Sequence, residues 1–529
     1  MRRATLIRNG KRANLPSLVS VLVVLGLLSS VASLAGCDSA ASDGVRPKRL
    51  VWIVVDGTHL DFDLAPMPFF SELIARGTFY SQAWVGQAPN NTPASHASFG
   101  TGRFPSHHGV LDFLWRTDPG RPSDPVEEIM TNFTVYTGGE PVWEQMAAHG
   151  ATGLAEIAKD QAGATVFAVT SEKGYAIAPW IGSQGDVIVF PSHWLEDDVL
   201  HVQAHAAIGF EPPDPAFVDG WARDYQVVEL ADYAQLDTWA TDVAIAAVQS
   251  YRPDVLLINL SQTDEIGHKT GGLDGDNPDA LAQILANVDR QVERLWQAYA
   301  DLGLVEETLF VVCTDHAISQ TDTMGPYDAL NEALASIGLR EVSQGPREQM
   351  WLSDPAKAQE AAKLLVREFP DYLLSVSYRD PATSRYTTLL AEDVPQEAEV
   401  REALDYLFNA TAATPQAADL RIITRRPNGT VLGQGRHYNT TWPLQHIWMI
   451  LAGPGVRPGY ESSYPARVVD LLPTLAALLY PDYEGTWDGI VLADALEHSS
   501  RQARASQAGQ AKTMQRYQEA LMALERHSR

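Results

Sequence analysis

Acids and imidazoles recur in this chain just beyond the ends of apolar runs. Asp56 closes Leu50-Val-Trp-Ile-Val-Val55, and Asp264 and His268 stand four apart after Val255-Leu-Leu-Ile-Asn-Leu260. Asp315 and His316 are adjacent after Leu309-Phe-Val-Val-Cys-Thr314, and His437 precedes Ile447-Trp-Met-Ile-Leu-Ala452. A spacing of four is one helical turn, so Asp264 and His268 fall on one side of it. Carboxylates mixed with imidazoles suit a divalent metal, zinc ahead of manganese or iron. Any one pair has a structural explanation as a salt bridge, a cap or a satisfied core histidine. Four strand-end positions in one chain point instead to metal chemistry.

A hydroxyl accompanies them in Asn90-Asn91-Thr92-Pro93-Ala94-Ser95-His96. Thr92 sits where a helix N-cap belongs, Pro93 suits the first helical position, and small, apolar residues run on to Thr101-Gly102. The free N–H groups and the dipole of such a helix favour negative charge, either an alkoxide on Thr92 or an anion docked against it.

The elements that must position these groups read as an α/β fold. The near-continuous apolar runs predict strands of a mostly parallel sheet with helices on both faces. Thr165 to Thr170 and Asp186 to Phe190 read as further strands; Pro68 to Arg76, Pro141 to His149, Asp237 to Gln249 and Asp279 to Leu302 read as helices. Asp56, Asp264 and Asp315 then lie beyond the carboxyl ends of strands, where open parallel sheets build binding sites. From about Ile318 to Thr430 the pattern changes. Helices at Lys357 to Arg367 and Glu397 to Leu407 alternate with short strands at Tyr372 to Tyr378 and Leu420 to Thr424. This predicts an inserted α+β subdomain over 318–430, with the catalytic domain in 50–317 and 431–497 and a polar, helix-prone tail, peripheral or loose, over 498–529. Pro191 to Asp232 shows no readable order.

A net charge of −27 over 529 residues excludes the basic footprint of a nucleic-acid-binding domain. It does not exclude an anionic substrate, because bound cations invert the local field. The basic start (Arg2, Arg3, Arg8, Lys11, Arg12) and the apolar run Leu18 to Leu34 predict a secretory signal over 1–36, too short and wrongly flanked for a membrane span. Its ending, Leu34-Ala-Gly-Cys37, resembles a bacterial lipobox. That implies cleavage before Cys37, lipid on its sulfur, a polar tether over 37–49, and a place in the cell envelope on the periplasmic face of the inner or outer membrane. Asp38 matches the retention signal of enteric inner-membrane lipoproteins. The one other cysteine, Cys313, reads as a small core residue, so no internal disulfide is expected.

Taken together, Val54-Val-Asp-Gly57, the Thr92 to Gly102 stretch with Pro105 and His108-Gly109, Asp264-Glu-Ile-Gly-His268, Thr314-Asp-His316 and Gly435-Arg-His437 resemble the alkaline phosphatase superfamily. The likeness is closest to its type I phosphodiesterase and nucleotide pyrophosphatase branch. The resemblance implies two divalent ions, zinc by preference. Asp56, Thr92, Asp315 and His316 would hold one, and Asp264, His268 and His437 the other. It also implies Thr92 as the nucleophile of a phospho-threonine intermediate. Threonine rather than cysteine or serine there argues against a sulfatase.

Two positions depart from the family. Phe113 stands nearest to where nucleotide pyrophosphatases carry a phosphoryl-contacting asparagine. In Ser171-Glu-Lys173-Gly-Tyr175, Lys173 matches a substrate-holding lysine of some monoesterases, and Tyr175 replaces its arginine partner. His446 is a weaker alternative to His437, its neighbours Leu444 and Ile447 favouring a packed histidine. His107 and His108 read as outer-loop residues, and His59 as a neighbour of Asp56. The expected function is an exported, lipid-anchored hydrolase of small-molecule or lipid-linked phosphate esters, diesters ahead of monoesters. A monoesterase on the same fold and a binding lipoprotein without catalysis are the alternatives.

Overall fold

The apolar runs do form one sheet. The computed structural model describes residues 46–527 apart from 59–66, 114, 117–139, 173, 208–209, 273–277, 343–347, 395–397 and 430. The leader, Cys37, most of the tether, His59 and Lys173 therefore lie outside the described residues. Among the described residues the sheet has eleven strands. At its centre Thr308–Cys313, Arg49–Val55, Val255–Leu260, Val166–Thr170 and Val187–Glu196 run parallel. Val54 lies opposite both Asn259 and Cys313, so three strands end level and release their following residues at one edge.

Alternate residues of each strand enter opposite cores, as the two-residue period requires. Leu50, Trp52 and Val54 pack with Phe99, Trp180 and Leu471 on one face. Val51, Ile53 and Val55 pack with Phe70, Trp239 and Leu285 on the other. Helices Thr92–Thr101, Gly174–Ile181 and Leu471–Leu479 cover the first face; Pro68–Arg76, Gln235–Tyr251 and Pro278–Asp301 cover the second. Trp52 meets Phe99 and Trp180 edge-on, each at 5.3 Å between centroids, which ties the Thr92 helix to the central strand.

Two parts of the sheet were not expected. Gly77–Trp84 is a strand, where the sequence reading passes straight from one helix to the next. His446–Ala452 runs antiparallel between it and Thr308–Cys313. The stretch with no readable order extends the other edge. Val187–Glu196 folds back through Asp197 and Asp198, both at positive φ, into Val199–Ala206 and then Arg223–Gln226, all antiparallel.

Between residues 318 and 430 lies a second sheet of four strands, ordered Gln349–Met350, Leu420–Thr424, Leu373–Arg379, Tyr386–Leu390. Helices Tyr327–Ser336 and Ala358–Glu368 close one of its faces over Leu373, Val376 and Ile422. Its other face, with Leu374 and Ile423, meets Trp84, Leu111, Leu404 and the last helix, Arg501–Glu525. That helix is not loose. Ser500 caps it, and Met514, Leu521 and Leu524 are buried. No helix among the described residues is long and apolar enough to cross a membrane.

Candidate active site

Asp56 leaves its strand with its N–H on the Leu260 carbonyl (3.0 Å), while Asn259 Nδ2 reaches its Oδ2 (3.2 Å) and the Thr263 hydroxyl its carbonyl. Gly57 turns the chain at φ +70°, and a Cβ there would stand 2.5 Å from both Cβ and Oδ1 of Asp264. Only glycine lets the backbone after Asp56 come so near Asp264. Asp264 opens the helix Gln262–Thr270, and His268, one turn on, brings Nε2 to 3.3 Å from its Oδ2. Asp315 Oδ1 is held by the backbone N–H groups of Gly57 (3.3 Å) and His316 (3.0 Å).

The Thr92 helix begins one residue earlier than expected. Asn91, extended at φ −140°, is the N-cap, and its Oδ1 accepts from Ala94 N (3.2 Å). Asparagine caps as well as threonine does, and by taking that task it leaves the Thr92 hydroxyl free for other chemistry. Thr92 is the first helical residue and Pro93 the second. The hydroxyl faces His316 Nε2 at 3.1 Å, and the same nitrogen is 3.6 Å from Asp56 Oδ1 and 3.4 Å from Asp315 Oδ2.

All three imidazoles are oriented alike. Nδ1 of His268 lies 2.8 Å from the Gly435 carbonyl, that of His437 3.2 Å from Asn90 O, and that of His316 3.4 Å from Ala317 O. A carbonyl only accepts, so Nδ1 carries the proton and Nε2 keeps its lone pair, the tautomer of a metal ligand. The His316 and His437 rings stack at 3.9 Å, with His268 5.1 Å from His437.

Ligand atoms of Asp56, Asp315 and His316 fall within 4.8 Å of one another, as do those of Asp264, His316 and His437. His316 thus stands at the seam of two groups, and His268 flanks the second. Asp56, Asp264 and Asp315 are all fully buried. Three enclosed carboxylates cost several kcal/mol each, on the order given for buried ions, without compensating positive charge. With inward Nε2 lone pairs beside them, the donor set fits divalent cations.

The sequence profile of the type I phosphodiesterase / nucleotide pyrophosphatase family matches residues 50–441. The chain belongs to that family. Comparison with curated proteins finds no match. Among solved structures, wild-type alkaline phosphatase PafA aligns with TM-score 0.62 at 17% identity, over 85% of this chain and 99% of that one. Human ectonucleotide pyrophosphatase/phosphodiesterase 5 aligns with TM-score 0.53 at 16%, over 85% and 100%. An inactive form of the murine protein, solved in complex with AMP, aligns with TM-score 0.52 at 14%, over 88% and 99%. The protein is a metal-dependent phosphoric ester hydrolase.

Within this phosphodiesterase-family site, several side chains stand where the sequence reading gave no role. His96, one turn after Thr92, holds Nδ1 on the Ala176 carbonyl (2.8 Å) and Nε2 at 3.4 Å from Asp315 Oδ2. Its spacing from Thr92 was the available signal. Asn90 Nδ2 gathers the carbonyls of His437 (2.6 Å), Asn439 (3.2 Å) and Leu444 (3.2 Å), fixing the loop that carries His437. Asp237 is buried beneath the Asp264 helix, where its Oδ1 accepts from Gln262 N (3.4 Å) and the Ser171 hydroxyl adjoins it; burial pushes its carboxyl up to about 7.

Other expectations sort cleanly. His446 turns away, with Nε2 on the Ser81 carbonyl (2.9 Å) and its ring on Trp442. His107 is exposed and reaches Asp488 (2.7 Å). His108 is not an outer-loop residue. It is wholly enclosed against Ser98 (3.0 Å) under the nucleophile helix, and burial holds its pKa well below the usual value. Cys313 accepts from Trp52 Nε1 (3.3 Å) in the core, and burial raises its thiol pKa far above the usual range. Phe113 is half-buried next to Asp112.

Proposed function

We propose that this enzyme cleaves phosphodiesters by transfer to Thr92, using two divalent ions, zinc by choice of ligand. Asp56, Thr92, Asp315 and His316 would hold one ion and Asp264, His268 and His437 the other, with His316 between them. The observation that carries the reading is the shared orientation of the three imidazoles around a 3.1 Å Thr92–His316 contact. When bound, such cations neutralise phosphoryl charge and lower the pKa of hydroxyl groups and water.

The chain's own residues do the rest. Thr92, first in its helix, presents Oγ with the helix's N-terminal N–H groups behind it, a setting that favours negative charge at that oxygen. Thr92 Oγ gives up its proton and bonds to phosphorus as the bond to the leaving oxygen breaks, and that oxygen departs as the alcohol on gaining a proton. Water then cleaves the phospho-threonine, restoring the hydroxyl and releasing the phosphate monoester. The N–H groups of Gly57 and His316 steady Asp315, and Asn90 steadies His437, so the site is set before substrate arrives.

The AMP bound by the murine relative supports a small-molecule phosphate ester as substrate, and a lipid-linked one fits the same chemistry. We further propose that Cys37 carries the lipid and that the enzyme works at the periplasmic face of a bacterial envelope membrane, with Lys173 contacting the substrate. The segment Leu34-Ala-Gly-Cys37 supports the first proposal.

The test offers zinc-loaded protein a nitrophenyl diester and a nitrophenyl monoester, with and without chelator. Chelator-sensitive turnover favouring the diester is expected. A monoester preference overturns diester specificity. Thr92→Ala should abolish turnover, a loss of at least about a thousandfold, while keeping most of its metal; unchanged activity would remove Thr92 from the nucleophile's role.

A further inference from the structure

The nucleophile helix is joined to the four-stranded sheet through one enclosed carboxylate. While its Oδ1 caps the helix, Asn91 donates through Nδ2 to Asp112 Oδ1 at 2.6 Å. Asp112 is fully buried; the same oxygen accepts from Phe113 N (2.6 Å), and its Oδ2 accepts from Nε2 of Gln349. Gln349 opens the strand Gln349–Met350 and lies opposite Arg421 in the antiparallel register with Leu420–Thr424. Arg421 spreads over the rings of Tyr386 and Phe408, so Gln349 and its neighbour are anchored in the second sheet. Asn91 and Gln349, 258 positions apart in the chain, thus grip opposite oxygens of one carboxylate.

Hydrogen bonds to a buried carboxyl group are directional, and losing one is costly. The carboxylate therefore cannot follow Gln349 without drawing on Asn91, which is one peptide bond from Thr92. We infer that Gln349 is a positioning residue: through Asp112 and Asn91, the seating of the second sheet sets where the Thr92 hydroxyl stands. The inference rests on the reading of Thr92 as nucleophile. In-line attack tolerates little misplacement; a shift of about 1 Å costs on the order of a hundredfold in rate. An attachment that served stability alone would leave the rate per folded molecule unchanged.

The experiment uses the full zinc-loaded chain with bis(p-nitrophenyl) phosphate, reading kcat, KM, zinc content and thermal midpoint. Gln349→Leu should lower kcat about tenfold with KM and zinc content unchanged. Asp112→Ala should lower kcat at least as far, and the double variant no further than Asp112→Ala alone, because both act along one line. Asn91→Ser keeps a good cap but cannot reach Asp112, so it should match Asp112→Ala in kcat. This variant and Gln349→Leu decide the matter if Asp112→Ala does not fold. Wild-type kcat in Gln349→Leu, or losses that multiply in the double variant, overturn the relay and leave Thr92 in its role. A wild-type chain that binds zinc and cleaves neither ester overturns the nucleophile reading, and the relay with it.

Discussion

At position 57 the backbone turns through φ +70°, where an added Cβ would stand 2.5 Å from Asp264. Gly57→Ala sets a methyl carbon against Asp264 and imposes a left-handed backbone that a side chain resists by about 1–2 kcal/mol. Asp56 and Asp264 should then part. We expect Gly57→Ala to lose bound metal and turnover together, measured by metal analysis of the purified protein and by diester hydrolysis. Retention of both would show that the site tolerates a methyl group against Asp264. This residue was visible in the sequence only as the end of Val-Val-Asp-Gly, because its reason lies 207 positions further on. The same holds for His96, Asn90 and Asp112. Their types are ordinary for a helix, a cap or a loop, and their partners (Asp315, the His437 loop, Gln349) are distant in sequence. Asp56, Asp264, Asp315 and their histidines were legible because each follows or precedes an apolar run, a local signal of where a strand ends.

At the scale of the element, the Gln262–Thr270 helix carries Asp264 and His268 and rests on a second buried carboxyl, Asp237. Burial raises that carboxyl to about 7, well above its unfolded value. The folded state therefore binds the proton more tightly. Asp237 imposes no penalty below about pH 4; the penalty grows as pH rises through the window from about 4 to 7 and is complete above it. Asp237→Asn keeps an oxygen for Gln262 N and removes the charge. Its thermal midpoint should equal wild type near pH 4 and exceed it at pH 8, by an amount on the order of a few kcal/mol in stability. A difference that does not vary with pH would show that Asp237 is not the titrating group. The central strands were readable because burial on both faces leaves them almost wholly apolar. Gly77–Trp84 was not. Its sequence, Gly-Thr-Phe-Tyr-Ser-Gln-Ala-Trp, is half polar, and pairing with His446–Ala452 rather than local pattern makes it a strand. The antiparallel extension from Val187 to Gln226 was hidden likewise, since the part of its first strand beyond Pro191 and its last strand are largely exposed and carry mixed residues.

At the scale of the whole molecule, the last helix is a brace rather than an appendage. Met514, Leu521 and Leu524 close the same cluster as Trp84 from the main sheet and Leu374 and Ile423 from the second. Arg467 adds a polar tie, pairing with Asp470 (2.7 Å) and reaching both Tyr406 and Gln510. Ending the chain at His498 would expose these apolar faces. Three large side chains at about 1.5–3 kcal/mol each put the loss on the order of 5 kcal/mol, a large share of a typical domain's stability. The metal ligands and their backbone partners all lie before residue 450, so the truncated protein should still bind metal where it folds. Its second sheet would be seated only by the contacts that remain, Gln349 to Asp112 among them. The expected result is a lower thermal midpoint, faster proteolysis between residues 318 and 430, and a reduced kcat at retained metal content. A truncated chain with wild-type midpoint and rate would show that the two sheets hold their relation without the brace, and that the polar contacts at Asp112 suffice to keep Thr92 in place.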